Sequence, residues 1–257
     1  PEVATARIDG TFSLKATLEL PSKQLRVQPR LDGMAFSGLG TEAWAQAQSQ
    51  CNRGLPTAMV RAHVRNDSLL ARAVLAAEDQ RFYEHPGYDL VEMNKALRSN
   101  QAEDATLRGA STLSQQVAKL LVTGGERSPV RKLRELLYAV EMEQTLGKAR
   151  ILQLYLSHTP WGATVCGAQA AAHTYFGKRA DQLSAAQAVW LAAMLHNPAL
   201  EAQRWKARGN INLERAQWVV AGLRPLRRAE RTQLLADLAV MGPTERTASR
   251  LDALSKQ

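Results

Sequence analysis

The sequence is poor in several residue types, and each shortage removes a class of protein. Only two of its 257 residues are cysteine, Cys51 and Cys166. That excludes a disulfide-stapled miniature and any cysteine-based zinc module, and leaves one disulfide in an oxidising compartment or two buried thiols. Aromatic residues make up 5% of the chain, while Ala and Leu dominate its apolar content, a balance that favours helices over sheets. No apolar run approaches the ~20 residues of a membrane-crossing helix. The most apolar stretch, LSAAQAVWLAAML from Leu183 to Leu195, reads as a buried helix. No leader-like pattern is visible at the start, which leaves open whether an anchor was removed. Acidic charge is in deficit, with 24 Asp and Glu against 33 Lys and Arg, for a net charge of +9. A basic chain suits an anionic partner: nucleic acid, lipid headgroups or a phosphorylated substrate. No recognised nucleic-acid module is present, which sets aside the first.

What is present changes character near Pro56 to Arg65. Before it, ARIDGTFSLKATLELPSKQLRVQP alternates apolar and polar residues between Gly and Pro, the pattern of short strands or extended chain. SGLGTEAWAQAQSQ looks helical, and CNRGLP ends it. From Asn66 onward helix follows helix. NDSLLARAVLAA offers Asn, Asp and Ser as caps and a stripe of Leu70, Ala73, Val74 and Ala77. LVEMNKALRS, STLSQQVAKLLV, RKLRELLYAVEMEQTL, KARILQLYL, AAQAVWLAAML, NLERAQWVVAGL and RRAERTQLLADLAVM continue the series. The expectation is a mainly α chain: residues 1–65 a small, extended or β-containing segment of unassigned role, and residues 66–257 a helical domain.

Four stretches carry chemistry. AAEDQRFYEHPGYD, Ala76 to Asp89, gathers carboxylates around a Pro-Gly turn. Glu78 and Asp79 fall at a helix C-terminus, where negative charge does not help the helix. That placement, with Asp79 beside it, favours proton uptake by Glu78 and suits a general base; a solvated acidic turn is the plainer reading. In GASTLSQQVAKLL, Thr112 and Gln115 have capping-box spacing. Leu113, Val117, Leu120 and Leu121 then share a core face, and Thr112, Gln115, Gln116 and Lys119 a polar one. In RKLRELLYAVEME, Leu133, Leu136, Leu137 and Val140 read as the core stripe. Arg131 and Glu135 share another face with Lys132 beside them, either two cations for phosphate or a surface ion pair. KARILQLYLSHTPWG reads as a helix ending in a Pro-Trp-Gly turn.

In this order the four resemble the motifs of the peptidoglycan glycosyltransferases, the family 51 enzymes that include monofunctional transglycosylases and the transglycosylase half of bifunctional penicillin-binding proteins. The first motif, E-D-x-x-F-x-x-H-x-G-x-D, is met by Glu78, Asp79, Phe82, His85, Gly87 and Asp89. The second, G-x-S-T-[IL]-T-Q-Q-x-x-K-N, is met by Gly109, Ser111, Thr112, Leu113, Gln115, Gln116 and Lys119. Arg131, Lys132 and Glu135 meet R-K-x-x-E. Lys148, Ile151, Leu152, Tyr155 and Leu156 meet K-x-x-I-L-x-x-Y-L-N, and Arg215 and Val219 loosely meet a fifth. The likeness runs from about Asn66 to Leu223. Ser114, Leu120, Ser157 and Glu214 depart from it, the last three losing two amides and one cation.

The resemblance implies a lysozyme-like helical glycosyltransferase domain at the extracytoplasmic face of the bacterial cytoplasmic membrane. It implies that lipid II and the growing lipid-linked glycan strand are the partners, with anionic membrane surface and other cell-wall synthesis proteins around them and no nucleic acid. Glu78 and Glu135 would be catalytic. Asp79, Phe82, His85, Ser111, Thr112, Gln115, Gln116, Lys119, Arg131, Lys132 and Arg215 would bind substrate. The chemistry fits: a sugar hydroxyl attacking an anomeric carbon needs a base, Glu78, and a pyrophosphate leaving group needs cations, Lys119, Arg131 and Lys132. Attack at the back face inverts the anomeric centre. Glu135 would orient the cations or hold a divalent metal, Mg or Mn, on the pyrophosphate. Asp79 and His85 shape the loop by hydrogen bonding. Basic and apolar side chains interleaved between Asp89 and Leu121 are candidates for a membrane-dipping surface. The three lost side chains motivate a rival, a weakened relative that binds lipid-linked glycan or a partner without turnover. A lysozyme-like hydrolase is the other.

Overall fold

The computed structural model describes residues 4–21, 24–47, 64–99, 109–124, 128–162, 164–209 and 211–242. Strands β1 (Arg7–Glu19) and β2 (Gln24–Ser37) come first. The helices follow as α1 (Leu69–Glu78), α2 (Leu90–Ser99), α3 (Leu113–Ala118), α4 (Pro129–Thr145), α5 (Gly147–His158), α6 (Ala168–Phe176), α7 (Ala185–Met194), α8 (Pro198–Arg208), α9 (Leu213–Gly222) and α10 (Arg228–Val240). Among the described residues the chain is thus mainly α with one small sheet, as expected. Cys51 and most of the expected boundary near Pro56 to Arg65 lie outside the described residues. Cys166 is disulfide-bonded, and Cys51 is the only other cysteine in the sequence.

The compact units are not sequential segments. One comprises Pro1–Gln46 with Tyr83–Ile151, the other Ala47–Phe82 with Leu152–Gln257. In the first unit β1 and β2 form an antiparallel hairpin, and β2 rests on α2 and α4. Glu141 of α4 explains the attachment. Its buried carboxylate accepts from the backbone N–H of Leu39 at 2.9 Å and that of Thr41, while the Thr41 and Thr145 hydroxyls lie 2.7 Å apart. Arg150 donates to the Trp44 carbonyl at 3.0 Å. The segment expected to be helical there is a 3-10 turn, Thr41–Gln46. The segment that follows β2 is therefore pinned to the third motif's helix.

Two apolar stripes differ from expectation. In α4 the buried residues are Glu135, Tyr138, Ala139, Val140, Glu141 and Met142, while Leu133 is exposed and Leu136 and Leu137 are half-buried. The helix turns charged residues inward because each finds partners there, and apolar spacing cannot show that. In the second motif Leu113 and Val117 are buried, but Leu120 is exposed. The α-helix ends at Ala118 and a π-helical turn follows, Lys119–Thr123, closed by the Gly124 N–H on the Lys119 carbonyl. The wider turn shifts the helical phase, so spacing counted at 3.6 residues per turn misplaces Leu120.

In the second unit α1, α7, α9 and α10 pack together. Ser68 caps α1, its hydroxyl accepting from the Ala71 N–H. Ala71, Ala73, Ala76 and Ala77 keep its inner face small enough for close helix approach. The run Leu183 to Leu195 is indeed a buried helix: Ala188 through Met194 of α7 are all buried. Around Trp190 gather Trp205, with ring centroids 4.4 Å apart, Tyr175 at 5.0 Å and Phe176 at 5.4 Å. Trp161 donates from Nε1 to the Leu191 carbonyl at 2.9 Å and accepts at its own carbonyl from the Tyr175 hydroxyl at 2.5 Å. The sequence reading did not name α6 and α8. The first is alanine-rich and has no side-chain cap; the second starts on Asn197-Pro198 and stops at left-handed Gly209, signals present but unused.

Burial pushes the hydroxyls of Tyr155 and Tyr175 above the ordinary tyrosine range, Tyr155 with help from the charge of Glu78. Below about pH 10 both rings are neutral, folded or unfolded. Above it the unfolded chain releases protons that the folded chain retains, so stability falls as pH rises. Tyr175→Phe is expected to cost about 1 kcal/mol near neutrality, from the lost bond to Trp161, and to flatten the alkaline decline by roughly 1.4 kcal/mol per pH unit. Urea unfolding between neutral and strongly alkaline pH checks both.

Candidate active site

The residues proposed from the motifs fall into two clusters, one in each unit. In the second unit Glu78 ends α1 and is largely buried. Arg215, three residues past the α9 N-cap Asn212, donates to the Ala77 carbonyl at 2.7 Å and approaches Glu78 Oε1 at 3.4 Å. Its guanidinium also stacks 4.2 Å from the Trp218 ring centre. A cation there offsets the negative end of the α1 dipole, which Glu78 would otherwise worsen. The tertiary structure thus joins residues far apart in sequence that the motifs linked only loosely. Asp79 is the α1 C-cap; its N–H bonds the Leu75 carbonyl and its carbonyl accepts from Phe82. Phe82 is 1% exposed and belongs to the core. Against the expectation of substrate contact, it has almost no surface to offer a sugar.

The larger cluster lies in the first unit. Ser128 caps α4 and Pro129 opens it, a strong start that fixes Arg131, Lys132 and Glu135 on the first two turns. Glu135 is 2% exposed. One of its oxygens accepts from Arg131 and the other from Lys132 Nζ at 2.9 Å. Lys132 Nζ also donates to Ser111 Oγ at 2.5 Å, which ties the second motif to the third. This is no surface pair: a buried carboxylate holds two cations in fixed positions. Lys119 is exposed on the π turn, and among the described residues no carboxylate lies within ion-pair distance of it.

The rest of the second motif holds the fold in place. Thr112 caps α3 and accepts from the Gln115 N–H, while Gln115 Oε1 accepts from the Thr112 N–H, a complete capping box. Thr112 also donates to the Gly87 carbonyl at 2.7 Å. Thr112 and Gln115 were expected to bind substrate. Both are buried, with the Thr112 hydroxyl and Gln115 Oε1 engaged in the cap, and the sequence signal behind them is the cap itself; Ser111 and Gln116 are half-buried.

His85 and Asp89 shape the loop. His85 Nδ1 accepts from the Gly87 N–H, and Asp89 Oδ1 accepts from the N–H groups of Val91 and Glu92 to start α2. Two further residues complete this arrangement. Lys148 Nζ donates to the His85 carbonyl at 2.6 Å and to Glu143 Oε1 at 2.8 Å, and Glu143 Oε1 accepts from Ser114 at 2.5 Å. Lys148 matched the fourth motif; Glu143 gave no signal beyond being one more charge on a helix. Gly87 carries the loop onto α4 with φ +97, where an added Cβ would lie 2.9 Å from the Ala139 backbone. Gly87→Ala is expected to lower stability by about 2 kcal/mol or more, from strain and overlap together, measurable as a lower urea midpoint.

The Transglycosylase family model matches residues 57–223. The chain is 43% identical over 129 residues to a biosynthetic peptidoglycan transglycosylase of Nitrosospira multiformis, across 50% of this chain and 56% of that protein. It is 46% identical over 156 residues to one of Chromohalobacter salexigens, across 60% of this chain and 64% of that protein. A third, of Thiobacillus denitrificans, is 45% identical over 129 residues. The aligned stretches therefore span between about half and two-thirds of these relatives. The family match covers more than half of the chain and includes every residue of both clusters, and on that ground the chain belongs to the transglycosylase family.

Proposed function

We propose that the chain polymerises lipid II into peptidoglycan glycan strands, with release of polyprenyl pyrophosphate. The observation that carries this reading is the buried Glu135 carboxylate, which fixes Arg131 and Lys132 side by side. Two preorganised cations suit a pyrophosphate that gains charge as its bond to sugar breaks. The relatives' names, which specify peptidoglycan, support the same substrate class.

In the proposed step the 4-hydroxyl of a lipid II sugar attacks the anomeric carbon of the growing strand. Glu78 takes the hydroxyl proton, a C–O bond forms, and the bond to the pyrophosphate oxygen breaks with inversion. Lys119, Arg131 and Lys132 receive the charge that moves to the leaving group, and Arg215 holds Glu78. Gly87, Thr112, Glu143 and Lys148 keep the loop and helix starts in register. Among the described residues no three His, Cys, Asp or Glu side chains converge as a metal cage. A carboxylate has about four lone pairs, and Glu135 uses three on Arg131, Lys132 and Thr123, so it retains room to supply one ligand to a Mg or Mn ion carried in with the pyrophosphate, as magnesium sites built on substrate phosphates do. Such an ion would neutralise phosphate charge.

The setting follows from the substrate. We place the reaction at the extracytoplasmic face of the membrane, where a disulfide such as that of Cys166 persists. None of the described helices is long and apolar enough to cross a bilayer. On α2, Val91, Met93 and Leu97 are exposed and alternate with Lys95 and Arg98, a composition suited to an anionic lipid surface. Other cell-wall synthesis proteins are natural neighbours of such a reaction.

Incubation of the protein with lipid II is expected to yield glycan strands. Glu78→Gln is expected to lower the rate at least ~100-fold, the usual worth of a general base, and Lys119→Ala by a similar factor through lost charge stabilisation. No strands from the wild type, with lipid II still bound, would favour the weakened relative suggested by Leu120, Ser157 and Glu214. Soluble muropeptides released from finished peptidoglycan would favour a hydrolase.

A further inference from the structure

The β1–β2 hairpin is built unequally. All thirteen residues of β1 are exposed, including Ile8, Phe12, Leu14 and Leu18, each more than half. Its apolar residues lie at even positions and its polar ones at odd positions, so one face is a continuous apolar row. β2 pairs along one edge of β1, and among the described residues the other edge of β1 has no neighbour. The two strands differ in how their outer edges are protected. β2 contains Pro29, which lacks an N–H, and a bulge, since Asp9 faces Ala35 but Thr11 faces Asp32. Gly33, at φ +61, takes up the extra residue. β1 has neither device; it is long, carries one lysine, and departs from extended geometry at Gly10, at φ +122 opposite the bulge. Proline, bulges and lysine are how sheets discourage pairing at an edge. A hairpin alone is also marginal in water.

We propose that β1 pairs with β1 of a second copy of this chain, making a four-stranded antiparallel sheet across a twofold axis at Ser13. The sequence of the strand matches its own reverse about that point. Arg7 meets Glu19, Asp9 meets Thr17 and Thr11 meets Lys15 on the polar face. Ile8 meets Leu18 and Phe12 meets Leu14 on the apolar face, and Gly10, the residue without a side chain, meets Ala16. Each contact occurs twice, as an isologous interface requires. A one-residue slip would set apolar against polar. A two-residue slip shortens the overlap and, in one direction, places Asp9 opposite Glu19. The pairing puts each copy's hairpin base, held to α4 through Leu39 and Thr41, at opposite ends of the joint sheet, so the attached helices do not compete for space.

Sedimentation of the whole chain over a concentration series tests this. The wild type is expected to dimerise. Arg7→Glu is expected to raise the dimer dissociation constant about tenfold, because two favourable pairs become repulsive, and the added Glu19→Arg exchange to restore it. Oxidised Ser13→Cys is expected to form covalent dimers, while Thr17→Cys, opposite Asp9, is not. A wild type that stays monomeric up to its solubility limit overturns the proposal, as does a dimer indifferent to Arg7→Glu or one in which Thr17→Cys cross-links and Ser13→Cys does not. A monomer that cosediments with phosphatidylglycerol vesicles and loses this on Phe12→Lys also overturns it, and assigns the face to a lipid surface.

Discussion

The first unit depends on one constraint: a single helix, α4, carries three carboxylates into low-dielectric surroundings, and each must be matched there. An ionised carboxylate left unpaired in a protein interior costs several kcal/mol. Glu135 is matched by Arg131 and Lys132, Glu141 by the N–H groups of Leu39 and Thr41, and Glu143 by Ser114 and Lys148. The three point in different directions around the helix. One therefore fixes the cations, one anchors the N-terminal segment, and one braces the acidic loop through Lys148 and the His85 carbonyl. The pairs give modest net stability but strong geometric definition, because breaking any of them exposes a charge that has nowhere else to go.

The acid-rich turn makes sense within that frame. Asp89 caps a helix, Asp79 closes one, and His85 accepts a bond within the loop. Their chemistry is spent on conformation. Glu78 is the carboxylate whose partner comes from a distant helix, Arg215 of α9. With Asp89, Asp79 and His85 holding the backbone of the loop, the end of α1 that carries Glu78 is fixed in place, the preorganisation that the proposed proton transfer demands. The same division holds in the second motif: Thr112 and Gln115 form the cap, and Ser111 and Lys119 are left at the surface of the unit.

The N-terminal segment resembles nothing in the motifs, yet its end is bound to the helix that holds the cations. Glu141 makes that attachment with backbone donors, which any residue supplies, so neither Leu39 nor Thr41 marks the contact in the sequence. Beyond it the hairpin extends, and among the described residues the outer edge of β1 is unpaired. The pairing proposed there would link association to the helix that holds Arg131 and Lys132 through the buried Glu141 carboxylate.

The sequence alone determined the helical class, the starts of α1 and α3 and the candidates for the reacting groups, because caps and short motifs are local and act through neighbours in the chain. It misjudged the inward face of α4 and the phase at Leu120, since hydrophobic spacing is blind to a charge that finds its counterion and to a widened turn. It could not pair Glu78 with Arg215, reveal Glu143 and Glu141 as hubs, or show that the strand before the motifs leaves an edge uncovered. Those are matters of distance between residues many turns apart, and only the folded chain, which must satisfy every buried charge at once, decides them.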